Sequence, residues 1–88
     1  MELKIDGFEI RFGVPVFAGT LQDGPLTVGD DVEILRDATV LATGLICGVL
    51  VEGKTLDRAE AGTVVQCTIR GQNIEQARPG DVVRSLAL

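Results

Sequence analysis

Eleven glycines are spread along 88 residues, and no stretch between them sustains a helical repeat. The gaps hold short runs rich in Val, Ile and Thr, residues that suit a pleated, half-buried surface. A chain punctuated this way builds many short strands joined by turns. Phe8-Glu9-Ile10-Arg11-Phe12 alternates strictly and reads as a strand with apolar side chains inward and charges outward. Val14 to Leu21 is a second run, in which Pro15 and Gly19 argue for an edge position or a bulge. Gln22-Asp23-Gly24-Pro25 is a turn, and Leu26-Thr27-Val28 runs into another at Gly29-Asp30. Asp31 to Arg36 alternates again, with Val32 and Ile34 inward. Asp37-Ala38 turns the chain into a long segment, Thr39 to Val51, bent at Gly44 and Gly48. Glu52 to Gly62 is charged and Ala-containing, and has room for one helical turn at Leu56 to Ala61. Thr63 to Arg70 is a strand, Gly71 to Gly80 a polar loop, and Asp81 to Leu86 the last strand.

Six or more short strands in one 88-residue domain, 1–88, predict a small all-β barrel or sandwich. Closure into a barrel is favoured because it removes edges that would otherwise aggregate. Apolar residues make up 45% of the chain, but only three are aromatic, all Phe, so Val, Ile and Leu must supply the core. Cys47 and Cys67 each sit in an alternating pattern, Leu45-Cys47-Val49 and Val65-Cys67-Ile69. Both thiols are expected on inward faces as small hydrophobes, in keeping with a reducing cytoplasm. Eight basic against thirteen acidic residues give a net charge of −5, which disfavours nucleic acid as the main ligand. No apolar stretch reaches membrane-spanning length, and Met1 is followed by Glu2 rather than a basic, then hydrophobic leader. Neither a membrane span nor a signal peptide is expected, and the cytoplasm is the expected compartment.

The ordered motifs carry a resemblance. Gly19-Thr-Leu-Gln-Asp-Gly24 leads to Leu26-Thr-Val-Gly29-Asp-Asp-Val-Glu-Ile34, and Thr43-Gly44 follows in mid-strand. Then come Ala59-Glu-Ala61-Gly62-Thr-Val-Val65, Ile69-Arg70-Gly71 and Gly80-Asp81-Val82-Val83. Across residues 5 to 84 this series resembles the second domain of translational GTPases, as in elongation factor Tu and its relatives. The resemblance implies a closed, six-stranded, Greek-key-like antiparallel barrel. The residues read physically agree, with Val28, Val32, Ile34, Val65, Ile69 and Val82 expected to line the core. In that family the domain helps hold the aminoacyl end of transfer RNA and touches the small ribosomal subunit. Asp6 and Phe8 fall on an acidic and an aromatic position near that aminoacyl pocket. The family's Gly-Arg-Gly reads Phe12-Gly13-Val14 here, and a further acidic residue and arginine fall on Leu50 and Gly53. The polar residues of the pocket are therefore missing, and aminoacyl-transfer RNA is not an expected ligand. The GTPase domain that precedes the barrel in the family has no room in 88 residues.

Chemistry is sparse. Histidine is absent, which removes the commonest general base and metal ligand, and Ser85 is the sole serine. Asp30-Asp31 is the closest carboxylate pair, but neighbours on a strand point to opposite faces, so it reads as a turn. Neither catalytic residues nor metal ligands are expected, and no cofactor. Gly48-Val-Leu-Val-Glu-Gly53-Lys54-Thr55 satisfies G-x-x-x-x-G-K-[ST], the phosphate-binding loop. That loop must leave a parallel strand and open a helix, whereas Val49 to Glu52 alternates like a strand and Gly62 cuts short any helix after Thr55. Lys54 is expected to be a solvent-facing loop lysine, without GTP or ATP binding by this chain. Lys54, Arg58, Arg70 and Arg78 lie in loops around the last two long strands, either as scattered solvated charges or as a partner-contact patch at one barrel end. The expected function is a non-catalytic, translation-associated or protein-interaction module acting through loops 53–60 and 71–79, with a ribosome- or RNA-contacting module as the alternative.

Overall fold

Strands form where the alternating runs lie, and six of them close on themselves. The structure, a computed structural model, describes residues 1–86. The strands are β1 (Glu2–Arg11), β2 (Val14–Asp23), β3 (Leu26–Thr27), β4 (Asp31–Arg36), β5 (Thr39–Val51), β6 (Lys54–Leu56), β7 (Arg58–Ala59), β8 (Val64–Gln72) and β9 (Val82–Ser85). The barrel runs β4-β9-β1-β2-β8-β5 and returns from β5 to β4. Every neighbouring pair around it is antiparallel. β6 folds back on the end of β5, and β3 pairs with β7 in a separate patch that adds Leu26 and Ala59 to the core. The interior is aliphatic, as the composition requires: Leu3, Ile5, Leu21, Ile34, Ile46 and Val83 are fully buried around Phe17. Among the described residues, no helix is long and apolar enough to cross a membrane.

Two bulges set the phase of the alternation. In β1 the register slips between Ile5 and Gly7, so Ile5 faces Gly19 while Gly7 faces Ala18. Gly19 is thus beside a bulge, as its place in the run suggested. Pro15 lies beyond Val16, the last β2 residue paired with β8, where a missing N–H breaks no β8 rung. The second slip falls between Ile46 and Gly48 of β5, against Ile69 and Thr68 of β8. Cys47 is the extra residue. It is therefore turned out and exposed, not inward as alternation predicts, while Ile46 and Val49 take the interior. Cys67 is buried as expected, and burial pushes its thiol up to about 12. One thiol should therefore react quickly with a labelling reagent in the native protein and the second only in denaturant. Two fast or two slow equivalents would contradict this placement.

Other inward assignments also shift. Val28 is 39% exposed, because its N–H is held to Asp57 outside the barrel wall. In β9 it is Val83 that is fully buried, and Val82 is only half-buried. Ile10 and Phe12 are exposed, since β1 runs past the barrel end. The stretch Leu56 to Ala61 holds pieces of β6 and β7 in place of a helical turn. A 3₁₀ turn forms instead at Ile74–Gln76, inside the segment that reads as a polar loop, and buries Ile74 and Ala77.

Candidate functional site

The four basic residues singled out in the sequence do not meet at one end of the barrel. Lys54 pairs with Val51 and Arg70 with Leu45, six residues apart on β5, which is about 20 Å at strand rise. Arg58 pairs with Thr27 in the β3–β7 patch and forms an exposed ion pair with Glu60 at 2.9 Å. Arg78 lies beyond the 3₁₀ turn, where its guanidinium donates to the carbonyls of Glu75 and Ala77. All four are exposed. The phosphate-loop pattern, Gly48 to Thr55, is a β-hairpin. Glu52 and Gly53 form its two-residue turn at φ 52° and 78°, and Lys54 begins β6. Asp30 is a turn residue, its carboxylate accepting from the Thr27 N–H at 3.1 Å. Ser85 ends β9.

A half-buried ion pair escaped the sequence reading. The Asp81 carboxylate is 4% exposed and accepts from Arg36 Nε and Nη2, both at 2.9 Å. The Arg78 backbone N–H adds a third bond at 2.8 Å. Arg36 also donates to the Gln76 carbonyl at 3.1 Å, so it ties the end of β4 to the loop that enters β9. An acidic residue between a Pro-Gly turn and an apolar strand is the one sequence signal that pointed here. Hydrogen bonding from Arg36, aided by the Arg78 amide and opposed by burial, holds the Asp81 carboxyl below the usual carboxylate range. A depressed folded value gives stability that is complete above the unfolded value, about 3.9, and is lost as pH falls through the folded one. Asp81→Asn should cost about 1–2 kcal/mol at neutral pH, kept low by the half-exposed arginine. Its deficit against the parent should shrink below about pH 4 in urea titrations. A deficit that holds constant to pH 2 would refute the linkage.

The surface with most binding character is the outer wall of β2, β8 and β5. Phe17, Gly19 and Leu21 point inward, so Val16, Ala18 and Thr20 take the outer face, where Val16 is covered and only 7% exposed. Their β8 partners are Thr68, Gln66 and Val64, and Gly48 and Leu50 continue the rows on β5. These eight outward positions carry no charge in a chain that is 24% charged. Two shallow depressions share Ala18 and Gln66 on this wall. One, about 300 Å³, is bounded by Leu50, Glu52, Gly53 and Val64. The other, about 230 Å³, is bounded by Gly7, Phe8, Glu9 and Val16. Leu50 and Gly53, the positions where the family's polar residues are replaced, both border the first. Phe8 borders the second and packs on Phe17 with ring centroids 5.0 Å apart, while Asp6 is an exposed residue at the β1 bulge. The wall thus offers shape and apolar area instead of ions.

At its end the β1–β2 ribbon outruns the barrel. Past Val16, β2 loses its β8 partner, and three further residues, about 10 Å, reach the turn. The turn is Phe12-Gly13 at φ 52° and 78°. Phe12 is 99% exposed and Ile10 60% exposed. A scan against protein-family models finds no match. Among solved structures, the chain superposes on translation elongation factor SelB from Methanococcus maripaludis, in its apo form, with a TM-score of 0.81. The chain shares the fold of part of that protein. The match covers 96% of this chain at 22% identity, and 18% of the SelB chain. This chain therefore corresponds to about a fifth of that protein's length.

Proposed function

We propose that this chain is a non-catalytic binding module of the translation apparatus, working through protein contacts. The observation that carries the reading is the superposition of nearly the whole chain on part of a translation elongation factor. Its resemblance to the second, barrel domain of translational GTPases supports the same assignment. An uncharged wall and a net charge of −5 favour a protein over RNA as the surface it meets. Tagged protein recovered from its source cell should bring down translation factors or ribosomal proteins at near-physiological salt. Recovery of partners from outside translation only would overturn the reading. Retention lost steeply on modest salt addition would favour the RNA-contacting alternative.

The module works without nucleotide. A phosphate loop needs a nest of backbone N–H groups at a helix N-terminus, and Gly48 to Thr55 is a hairpin that enters a strand. Titration calorimetry with magnesium and GTP or ATP should give no saturable heat up to millimolar ligand. A saturable signal abolished by Lys54→Ala would reverse this view and the non-catalytic assignment together.

A further inference from the structure

The projecting β1–β2 ribbon has two edges, and they are unlike. Across an antiparallel pair, residues that hydrogen-bond each other alternate with residues whose N–H and C=O groups face away. Leu21 fixes the phase. Its N–H donates to Thr63 and its C=O accepts from Gly62, both on the β8 side. At alternate positions Phe17 and Pro15 also face away from β1, while Val16 and Val14 face it. Their β1 partners Glu9 and Arg11 therefore bond β2, and Phe8 and Ile10 turn their N–H and C=O groups to the opposite edge. Strand β9 does not reach them, because its pairing with β1 ends at Lys4. Beyond Lys4 the only bonds on that side tie Ile5 to Gly80 and Asp81. Among the described residues, no backbone bond outside the ladders reaches Phe8 or Ile10. On the β2 edge, the one residue facing out past Phe17 is Pro15, which has no N–H to donate. That edge is blunted in the usual way. The β1 edge, Asp6 to Arg11, contains neither proline nor lysine.

We infer that the open β1 edge receives an extended, basic segment of a partner protein, added as a strand antiparallel to β1 beside Phe8 and Ile10. The unpaired N–H and C=O groups of Phe8 and Ile10, repeating every second residue, match the backbone of a strand and of nothing else. Side chains set the pattern of that strand. Phe8 and Ile10 lie opposite Phe17 and Pro15 and share their face, and Ile10 is 60% exposed. Partner residues facing Phe8 and Ile10 are therefore apolar, and the residues between them fall on the face of Glu9 and Arg11. Charge selects the partner's sign. Glu9 and Arg11 neutralise each other, whereas Asp6 is exposed and enters no ion pair among the described residues. With −5 on the whole chain, a basic segment is complementary and a second copy is disfavoured. Such a contact rests on the chain being a protein-binding module, whichever system the partner serves.

The probe is a capped peptide of about eight residues, alternating lysine and valine, titrated into the isotope-labelled whole chain and followed by amide exchange in NMR. Without peptide, the Phe8 and Ile10 amides should exchange fast while the Glu9 amide is protected. Peptide should slow Phe8 and Ile10, with a Kd of about 0.1–1 mM for so short a ladder. Ile10→Pro removes one edge N–H and leaves the β2 ladder whole, mirroring Pro15 across the ribbon. It should weaken binding by at least about tenfold, with a urea midpoint close to the parent's. A second measurement is independent of how that variant folds. In an antiparallel addition the valine N–H groups face β1, so N-methylated valines should abolish binding and N-methylated lysines should not. No saturable binding, equal loss from both methylations, or equal binding of a glutamate–valine peptide overturns the proposal, and leaves the pull-down for translation partners to be judged separately. Protection of Phe8 and Ile10 that rises with protein concentration alone overturns it in favour of a second copy.

Discussion

Replacing Phe17 with Ala should remove most of this domain's stability. Phe17 is the only fully buried aromatic, in a chain with three Phe and neither Trp nor Tyr. It lies in the middle of β2, paired with Phe8 on β1 and Cys67 on β8. Hydrogen bonds fix the wall on both sides, so the strand cannot slide inward to fill the space. Buried Phe→Ala changes cost about 3–5 kcal/mol, and the upper half applies where relaxation is blocked. The loss includes the tilted Phe8–Phe17 stack at 5.0 Å, itself worth about 1 kcal/mol. An 88-residue domain has about 4–13 kcal/mol in total, so the variant should unfold in little urea or none. Urea unfolding followed by far-ultraviolet circular dichroism measures this. A loss below about 1 kcal/mol would mean that the barrel core is looser than its burial shows.

How much of this was legible in the sequence divides by physical cause. Strand positions were, because period-two alternation is local: Asp31 to Arg36 and Thr39 to Val51 match β4 and β5 to the residue. Which face points inward was not, wherever a bulge intervenes. Leu45-Cys47-Val49 has unbroken alternation, yet the slip between Ile46 and Gly48 puts Ile46 inside and Cys47 out. Nor does alternation reveal where a barrel ends. Phe8 to Phe12 keeps its pattern beyond the wall, so Ile10 and Phe12, expected inside, became the exposed ribbon while Phe8 stays packed on Phe17. The Arg36–Asp81 pair spans 45 residues and depends on closure of β4 against β9, which local pattern cannot show. The uncharged wall was present in the sequence as Val16, Ala18, Val64, Gln66 and Leu50. Only the registers of β2, β8 and β5 bring those positions onto one surface.

Gly19→Ala should be as damaging as the loss of Phe17, for the opposite reason. A Cβ built on Gly19 would lie 2.0 Å from the Lys4 carbonyl oxygen, 3.1 Å from its carbon and 3.3 Å from Leu3 Cδ1. The obstacle is backbone, so no flexible side chain can swing aside. Lys4 cannot retreat, because β1 is clamped on its other edge by Val82 of β9 and by the Ile5 N–H bond to the Asp81 carbonyl at 2.9 Å. Gly19 cannot retreat, because it is paired with Val65 of β8. The bulge between Ile5 and Gly7 brings the two backbones this close, and only a residue without a side chain permits it. Overpacking a well-packed core costs about 1–3 kcal/mol, and a clash with fixed backbone on both sides exceeds that range. Gly53→Ala is the control. Nothing lies within 4 Å of its Cβ position, so only its φ of 78° is penalised, at about 1–2 kcal/mol. Urea midpoints should fall modestly for Gly53→Ala and collapse for Gly19→Ala. Equal losses in the two would show that β1 can move away from β2, and that the bulge is not what Gly19 serves.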